Sequence, residues 1–260
     1  MQIDEIKNLY PTLAFSHSLN LENISKINCS GAVDVEFIQS NSKNGFALML
    51  TDNQDIIKNT EFVVSDDLLH IRSKGTVSIN GIQISSSNMQ INNFAGGQIT
   101  INGQQIVHTG SGDQYNCIGG SQHIIKSCRS SNDIQVTKGA FKIFVVLPKL
   151  DCLKLSGAGS FNSNNINQDF LEIGLSGSGD ICLTGVVQNI VAKLSGTGLL
   201  NLKKLDCKIA NLKLSGVGKI KANVTEAVTA KVSGVGDIKI YGNPEVRNIS
   251  KSGLGSIKFK

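Results

Sequence analysis

Leu153-Lys154-Leu155-Ser156-Gly157-Ala158-Gly159-Ser160-Phe161 is a segment that returns, in varied form, to the last residues of the chain. Its centre, Ser-Gly-x-Gly, begins at Ser156, Ser176, Ser195, Ser215, Ser233 and Ser252, at steps of 20, 19, 20, 18 and 19 residues. A period of that length marks a solenoid, in which each repeat is one coil and stacking buries the core. Three residues before the serine stand Leu153, Ile173, Ala192, Leu212, Ala230 and Ile249. One residue before it stand Leu155, Leu175, Leu194, Leu214 and Val232, with Lys251 the exception. The residue between these apolar columns is mostly lysine, so the approach to each serine alternates as a half-buried strand.

Alternation resumes after the phrase. Five residues past the serine come Phe161, Ile181, Leu200, Ile220, Ile238 and Ile257; seven past it come Leu183, Leu202, Ala222, Ile240 and Phe259, with Ser163 the exception. The phrase therefore predicts a turn between strands. Its structural glycines are Gly157, Gly159, Gly177, Gly179, Gly196, Gly198, Gly216, Gly218, Gly234, Gly236, Gly253 and Gly255. Glycine suits a turn because it reaches positive φ without a steric penalty. About eight residues remain per coil, room for a third short strand or an arc. No 3.6-residue apolar spacing is present, and the leucine-rich repeat pattern is absent. The predicted fold is all-β: a parallel β-helix with ~19-residue coils, taken as right-handed although no sequence signal fixes the hand. At ~4.8 Å per coil, six coils span roughly 29 Å.

Outside the repeat the pattern is less regular. Residues 1–20 read as a lead-in or capping segment. Residues 21–133 read as an irregular β lobe, and 134–260 as the regular β-helix. Ile27 to Phe37 alternates and holds a degenerate Ser30-Gly31; Phe46–Leu50 and Leu68–Ile71 read as strands, and Asp52–Asn59 as a helical turn. Residues 74–125, rich in Gly, Ser, Asn, Gln and Ile, look like an insertion. Its Asn80-Gly81 and Asn102-Gly103 are turn signals, and its regularly spaced isoleucines argue for further coils or hairpins, with a low-complexity linker the alternative.

Charge is split along the chain. The net charge is +5, but residues 1–140 hold 9 Lys/Arg against 12 Asp/Glu, and residues 141–260 hold 16 against 8. Lys154, Lys193, Lys213 and Lys231 share one phase, two residues before the serine. Lys221, Lys239 and Lys258 share another, six residues after it. On stacked coils these become outward columns with two readings: solubility and protection of sheet edges, or contact with a polyanion or an anionic membrane. No aromatic residues interleave with them, which argues against a platform for single-stranded nucleic acid. No specific nucleic-acid binding is expected.

Catalytic and metal signals are weak. Asp180 and Asp237 fall on one phase but three coils apart, ~14 Å at ~4.8 Å per coil, beyond the roughly 5–9.5 Å of glycosidase pairs. Leu199 and Lys219 stand between them. Asp34 and Asp113 lie in less certain frames. His17, His70, His108 and His123 show no metal-ligand spacing; His108 and His123 with Asp113 and Cys117 form only a loose cluster. The serines lack the elbow of a hydrolase nucleophile, and the glycines lack the Gly-Lys-Ser/Thr of a phosphate loop. Cys29, Cys117, Cys128, Cys152, Cys182 and Cys207 include no Cys-x-x-Cys and read as free, mostly buried thiols, with disulfides the alternative. No catalytic residue, metal site or cofactor is predicted.

The first residues show neither a basic nor an apolar signal region, and no run of about 18 apolar residues could span a membrane. The expectation is a soluble protein: cytoplasmic, exported without a visible signal, or beginning after a removed one.

The chain resembles the putative auto-transporter adhesin head GIN domain family. The resemblance rests on Cys29-Ser30-Gly31-Ala32-Val33-Asp34-Val35, on Val145-Val146-Leu147-Pro148-Lys149-Leu150 leading into Leu153–Gly159, and on the repeated phrase typified by Leu175-Ser176-Gly177-Ser178-Gly179-Asp180-Ile181. It covers roughly residues 24–73 and 134–260. The resemblance implies a β-helical, surface-associated, adhesive role, and supplies no catalytic residues. The leading expectation is a non-enzymatic binding module for a surface polymer or protein. The alternatives are a self-assembling structural protein and a polysaccharide-acting enzyme.

Overall fold

The structure, a computed structural model, describes residues 2–73 and 141–260 and, between them, the backbone of five short strands. The chain opens with helix α1 (Ile3–Leu9), followed by β1 (Phe15–Leu21), β2 (Lys26–Ser30), β3 (Ala32–Gln39) and β4 (Gly45–Thr51). Helix α2 (Gln54–Asn59) falls within the stretch read as a helical turn, and leads into β5 (Thr60–Ser65) and β6 (Leu68–Ser73). The five short strands are β7 (Thr76–Ile79), β8 (Ile82–Ser85), β9 (Ile99–Ile101), β10 (Gln104–Val107) and β11 (Val136–Lys138). β7 pairs antiparallel with β8, and β9 with β10, as hairpin strands do and stacked parallel coils do not. The rest of the 74–125 stretch, with His108, Asp113, Cys117 and His123, lies outside the described residues, as does Cys128.

The regular half follows: β12 (Phe141–Leu147), β13 (Cys152–Leu155), β14 (Ala158–Leu175), β15 (Ser178–Leu194), β16 (Thr197–Leu214), β17 (Val217–Val232), β18 (Val235–Tyr241), β19 (Val246–Lys251) and β20 (Ser256–Phe259). Each full coil is a single strand of 16–18 residues running from one phrase to the next, rather than two or three separate strands. It bends at register irregularities, between Cys182 and Thr184 and between Leu202 and Asp206 for example, where one coil holds more residues than its neighbour. These bulges absorb the variation in repeat length, so both ladders flanking each phrase stay in register.

β14 to β18 pair in parallel, in order, and form a β-solenoid. The stack does not begin at Ser156. Ala158 pairs with Ala32 and Leu153 with Ile27, so β2 and β3 form the preceding level. The degenerate Ser30-Gly31 stands where that level's phrase should be, and residues 40–150 enter between two neighbouring levels of one stack.

Stacking turns the apolar sequence columns into rows through the lumen. Leu155, Leu175, Leu194, Leu214 and Val232 are fully buried, as are Phe161, Ile181, Leu200, Ile220 and Ile238. Phe37 stacks on Phe161 with centroids 6.1 Å apart. Ser163 breaks its row: it is 1% exposed and its hydroxyl finds no partner among the described residues. At the C-terminal end the lumen opens, and Ile249 is 45% exposed.

The N-terminal lobe pairs differently. β4 runs antiparallel to both β1 and β12, while β12 is parallel to β3. The continuous apolar runs of β4 and β12 bury both faces. Ala47, Met49, Ile143 and Val145 join the main core, while Leu48, Leu50, Phe144 and Val146 pack against Ile6 of α1 as a second core. Among the described residues no helix is long and apolar enough to cross a membrane.

Candidate functional site

The candidate surface is built by stacking. In the phrase, a Cβ on Gly157 would stand 1.8 Å from the Gly31 carbonyl oxygen, and one on Gly198, held at φ +151°, would stand 1.8 Å from that of Gly179. The remaining phrase glycines meet the carbonyl of the coil before at 1.9–2.2 Å. Positive φ occurs at Gly159, Gly198 and Gly236 of the phrase; the close approach of backbones is common to all twelve. The serine amide adds a rung: Ser195 N donates to Leu175 O and Ser215 N to Leu194 O, both at 2.9 Å. Each phrase thus locks its corner onto the one below and holds the neighbouring outward side chains in file.

The first lysine column runs Asn28, Lys154, Gly174, Lys193, Lys213, Lys231 and Ser250. Its four lysines are exposed, and Lys193, Lys213 and Lys231 occupy successive coils. Lys193 bonds Glu172 at 2.9 Å, whereas no ion pair forms at Lys213 or Lys231 among the described residues. The second column runs Glu36, Asn162, Cys182, Asn201, Lys221, Lys239 and Lys258, acidic at one end and basic for its last three levels. Lys221 and Lys239 are partly covered and Lys258 is exposed. The seven predicted lysines therefore lie on two flanks of the same corner, concentrated in the C-terminal coils.

Sequence reasoning missed what stands on the corner itself. The third residue of each phrase forms the column Ala158, Ser178, Thr197, Val217 and Val235, in paired register. Gly253 and Gly255 stack on Gly234 and Gly236, which places Leu254 next in file. Val217, Val235 and Leu254 are 54%, 49% and 88% exposed. The column turns from small and polar to aliphatic where the lysines accumulate. The signal was present in the repeat alignment, at the one variable position of the phrase.

The carboxylates act within the scaffold. Asp34, Ser160, Asp180, Leu199, Lys219, Asp237 and Ser256 share one column, which fixes the frame of Asp34. The degenerate Ser30-Gly31 carried that frame, since Asp34 lies four residues past Ser30 as Asp180 lies past Ser176. Asp34 Oδ1 accepts from Ser160 N at 2.9 Å and from its hydroxyl at 2.8 Å, and Asp180 Oδ1 accepts from Leu199 N at 3.0 Å. The Ser256 hydroxyl donates to Asp237 at 2.5 Å, and that bond, aided by Lys258 and Lys239, holds the Asp237 carboxyl below its usual value despite partial desolvation. Each aspartate ties one coil to the next. Asp34 and Asp180 stand two coils apart, ~9.6 Å at ~4.8 Å per coil, at the outer limit of glycosidase spacing. A recess of about 210 Å³ beside Asp34 is lined also by Glu36, Lys142, Ser160 and Asn162.

Cys29, Cys152, Cys182 and Cys207 are free thiols. Burial pushes Cys29 up to about 12, and burial with the nearby Asp206 does the same to Cys207. His17 stacks on Phe62 with centroids 5.5 Å apart, and His70 lies 3.5 Å from the Asn28 amide. Among the described residues no three His, Cys, Asp or Glu side chains gather as a metal site.

A family model described as putative auto-transporter adhesin, head GIN domain, matches residues 23–244. Among solved structures, a putative adhesin from Bacteroides fragilis is 20% identical with a TM-score of 0.57, over 95% of this chain and 98% of that one. A putative lipid binding protein from Parabacteroides distasonis is 17% identical with a TM-score of 0.46, over 95% and 97%. A putative adhesin from Parabacteroides merdae is 15% identical with a TM-score of 0.47, over 94% and 95%. The first shows the shared solenoid fold; the other two overlay too loosely to support an argument. No curated protein matches the chain.

Proposed function

This chain belongs to the family described as putative auto-transporter adhesin, head GIN domain, and on that premise we propose that it is a non-enzymatic binding module of adhesin type. It contacts a surface polymer or a surface protein through the outward lysine columns of its C-terminal coils. The observation that carries this reading is the placement of Lys213, Lys231, Lys221, Lys239 and Lys258 on two flanks of one corner, without a salt bridge among the described residues. Stacked coils hold such charges at a fixed ~4.8 Å repeat, a spacing suited to a repeating anionic partner. The aspartates support the non-enzymatic reading. Asp34, Asp180 and Asp237 each accept a hydrogen bond from the next coil, a scaffold role.

The test is a binding screen of the wild-type chain and the double variant Lys213→Glu/Lys231→Glu against immobilised acidic and neutral glycans, anionic lipids and surface proteins. At least one class should retain the wild type and lose the variant. Retention of nothing, or equal retention of both proteins, would overturn the reading. On the domain level, we propose that 134–260 is the contact-bearing unit and that the lobe built from β1 to β6 closes the opposite end.

A further inference from the structure

The corner column serves the stack through its backbone, Val217 N donating to Gly196 O at 2.9 Å and Val235 N to Gly216 O at 3.0 Å, and not through large side chains. A residue that supports the fold is expected to bury its apolar surface, yet Leu254 is 88% exposed, with Val235 at 49% and Val217 at 54% behind it. Earlier levels of the same column use Ala158, Ser178 and Thr197, so the corner can be built without large aliphatic side chains. Lysines border the aliphatic levels on both sides. Lys213 and Lys231 stand four residues before Val217 and Val235, and Lys221, Lys239 and Lys258 stand four residues after Val217, Val235 and Leu254. Among the described residues the acid in the column beside the aliphatic levels is Asp237, which accepts a hydrogen bond from the Ser256 hydroxyl. Upstream, Lys193 is neutralised by Glu172 and its corner residue is Thr197. Aliphatic tips and unpaired lysines therefore coincide on the same coils.

We propose that this corner docks on an anionic lipid bilayer, with Val217, Val235 and Leu254 entering the interfacial layer and the flanking lysines resting on headgroup phosphates. The inference rests on the binding-module reading and names its ligand class. A bilayer is the surface that offers both parts at once: a plane of negative charge attracting each nearby lysine, and directly beneath it an apolar layer. A soluble acidic polymer would satisfy the lysines and leave Leu254 in water. The lysine stems lie along apolar surface while their ammonium groups reach the charged plane.

The chain contains no tryptophan, so a single introduced tryptophan reports its own position. Leu254→Trp sits on the corner; Val186→Trp, at a 43% exposed site on another face, is the control. Each is mixed with vesicles of phosphatidylcholine alone, or of phosphatidylcholine and phosphatidylglycerol at roughly 3:1. Leu254→Trp emission should shift to the blue with the anionic vesicles only, and should be quenched by lipids brominated near the headgroup; Val186→Trp should not respond. In flotation, Leu254→Ser should lower partitioning about tenfold, the scale of one lost leucine contact. Lys231→Glu/Lys239→Glu should lower it at least as much, and added salt should weaken the wild type. Absence of wild-type partitioning onto anionic vesicles, or unchanged partitioning of Leu254→Ser, overturns the proposal. Retention of Leu254→Ser and wild type alike on an immobilised acidic glycan, with no vesicle binding, overturns the lipid assignment and leaves the binding-module reading standing. A concentration-dependent blue shift of Leu254→Trp without lipid would assign the corner to a second copy instead, and overturns it too.

Discussion

The two halves of the molecule bury comparable apolar rows by different means. In the C-terminal coils every neighbour is parallel and every corner carries the same phrase, so a residue's place in the repeat fixes whether it faces the lumen or solvent. In the N-terminal lobe, parallel and antiparallel neighbours mix around β4 and β12, both faces are covered, and a helix seals the outer one. The difference teaches that a solenoid separates support from contact. Glycines and inward aliphatics hold the stack, which leaves the outward columns free to vary, and the corner column turns to large exposed aliphatics in the last three coils.

The comparison breaks first at the phrase glycines. Gly198→Val should cost at least about 3 kcal/mol by forcing two coils apart, or prevent folding. Gly174→Ala should be neutral to stabilising by about 0.4–1 kcal/mol, because its Cβ meets only Lys154 Cγ at 3.7 Å. Chemical denaturation of both variants measures the contrast. Equal costs would mean that backbone stacking is not what the glycines serve.

Leu194→Ala, fully buried mid-stack, should cost about 2–5 kcal/mol. Ile249→Ala, in the same class of row but at the open end, should cost less than about 1 kcal/mol because the site is already half in water. Similar costs would show that the C-terminal lumen is closed in solution. Ser163→Ala should stabilise by about 1 kcal/mol, since it removes a buried hydroxyl without a partner.

Two smaller effects probe the electrostatics. The Asp237 carboxyl has its folded value below the ordinary 3.8. Its contribution is therefore fully present above 3.8 and is lost as pH falls through the lower folded value; Ser256→Ala should remove that acid-side slope from thermal melts. Lys193→Ala should change stability by less than about 1 kcal/mol, because its partnership with Glu172 is exposed.

The fold was legible where the repeat was strict. Two apolar columns on each side of Ser-Gly-x-Gly gave strand, corner and lumen without further information. Ser30-Gly31 carried the frame of Asp34 but too faintly to show that β2 and β3 stack beneath β13 and β14 across residues 40–150. The second core was not read because Phe46–Leu50 and Phe141–Leu147 are continuous apolar runs, and such runs reveal burial without telling which side a helix covers. The glycines were read for their turn conformation, whereas inter-coil distance, which no single sequence displays, is the constraint common to all of them. At the candidate site the lysine columns came from phase alone. Leu254, Val235 and Val217 were overlooked because the variable slot of a turn phrase looks like noise until stacking sets its members side by side.

The central claim is that contact belongs to the C-terminal coils and not to the lobe. Lysine acetylation followed by mass spectrometry, on the free chain and on the chain bound to phosphatidylglycerol-containing vesicles, tests it residue by residue. The account predicts several-fold protection of Lys213, Lys231, Lys239 and Lys258 on binding, with Lys26, Lys43 and Lys142 modified as in the free protein. Protection centred on Lys26, Lys43 or Lys142, or spread evenly along the chain, would contradict it.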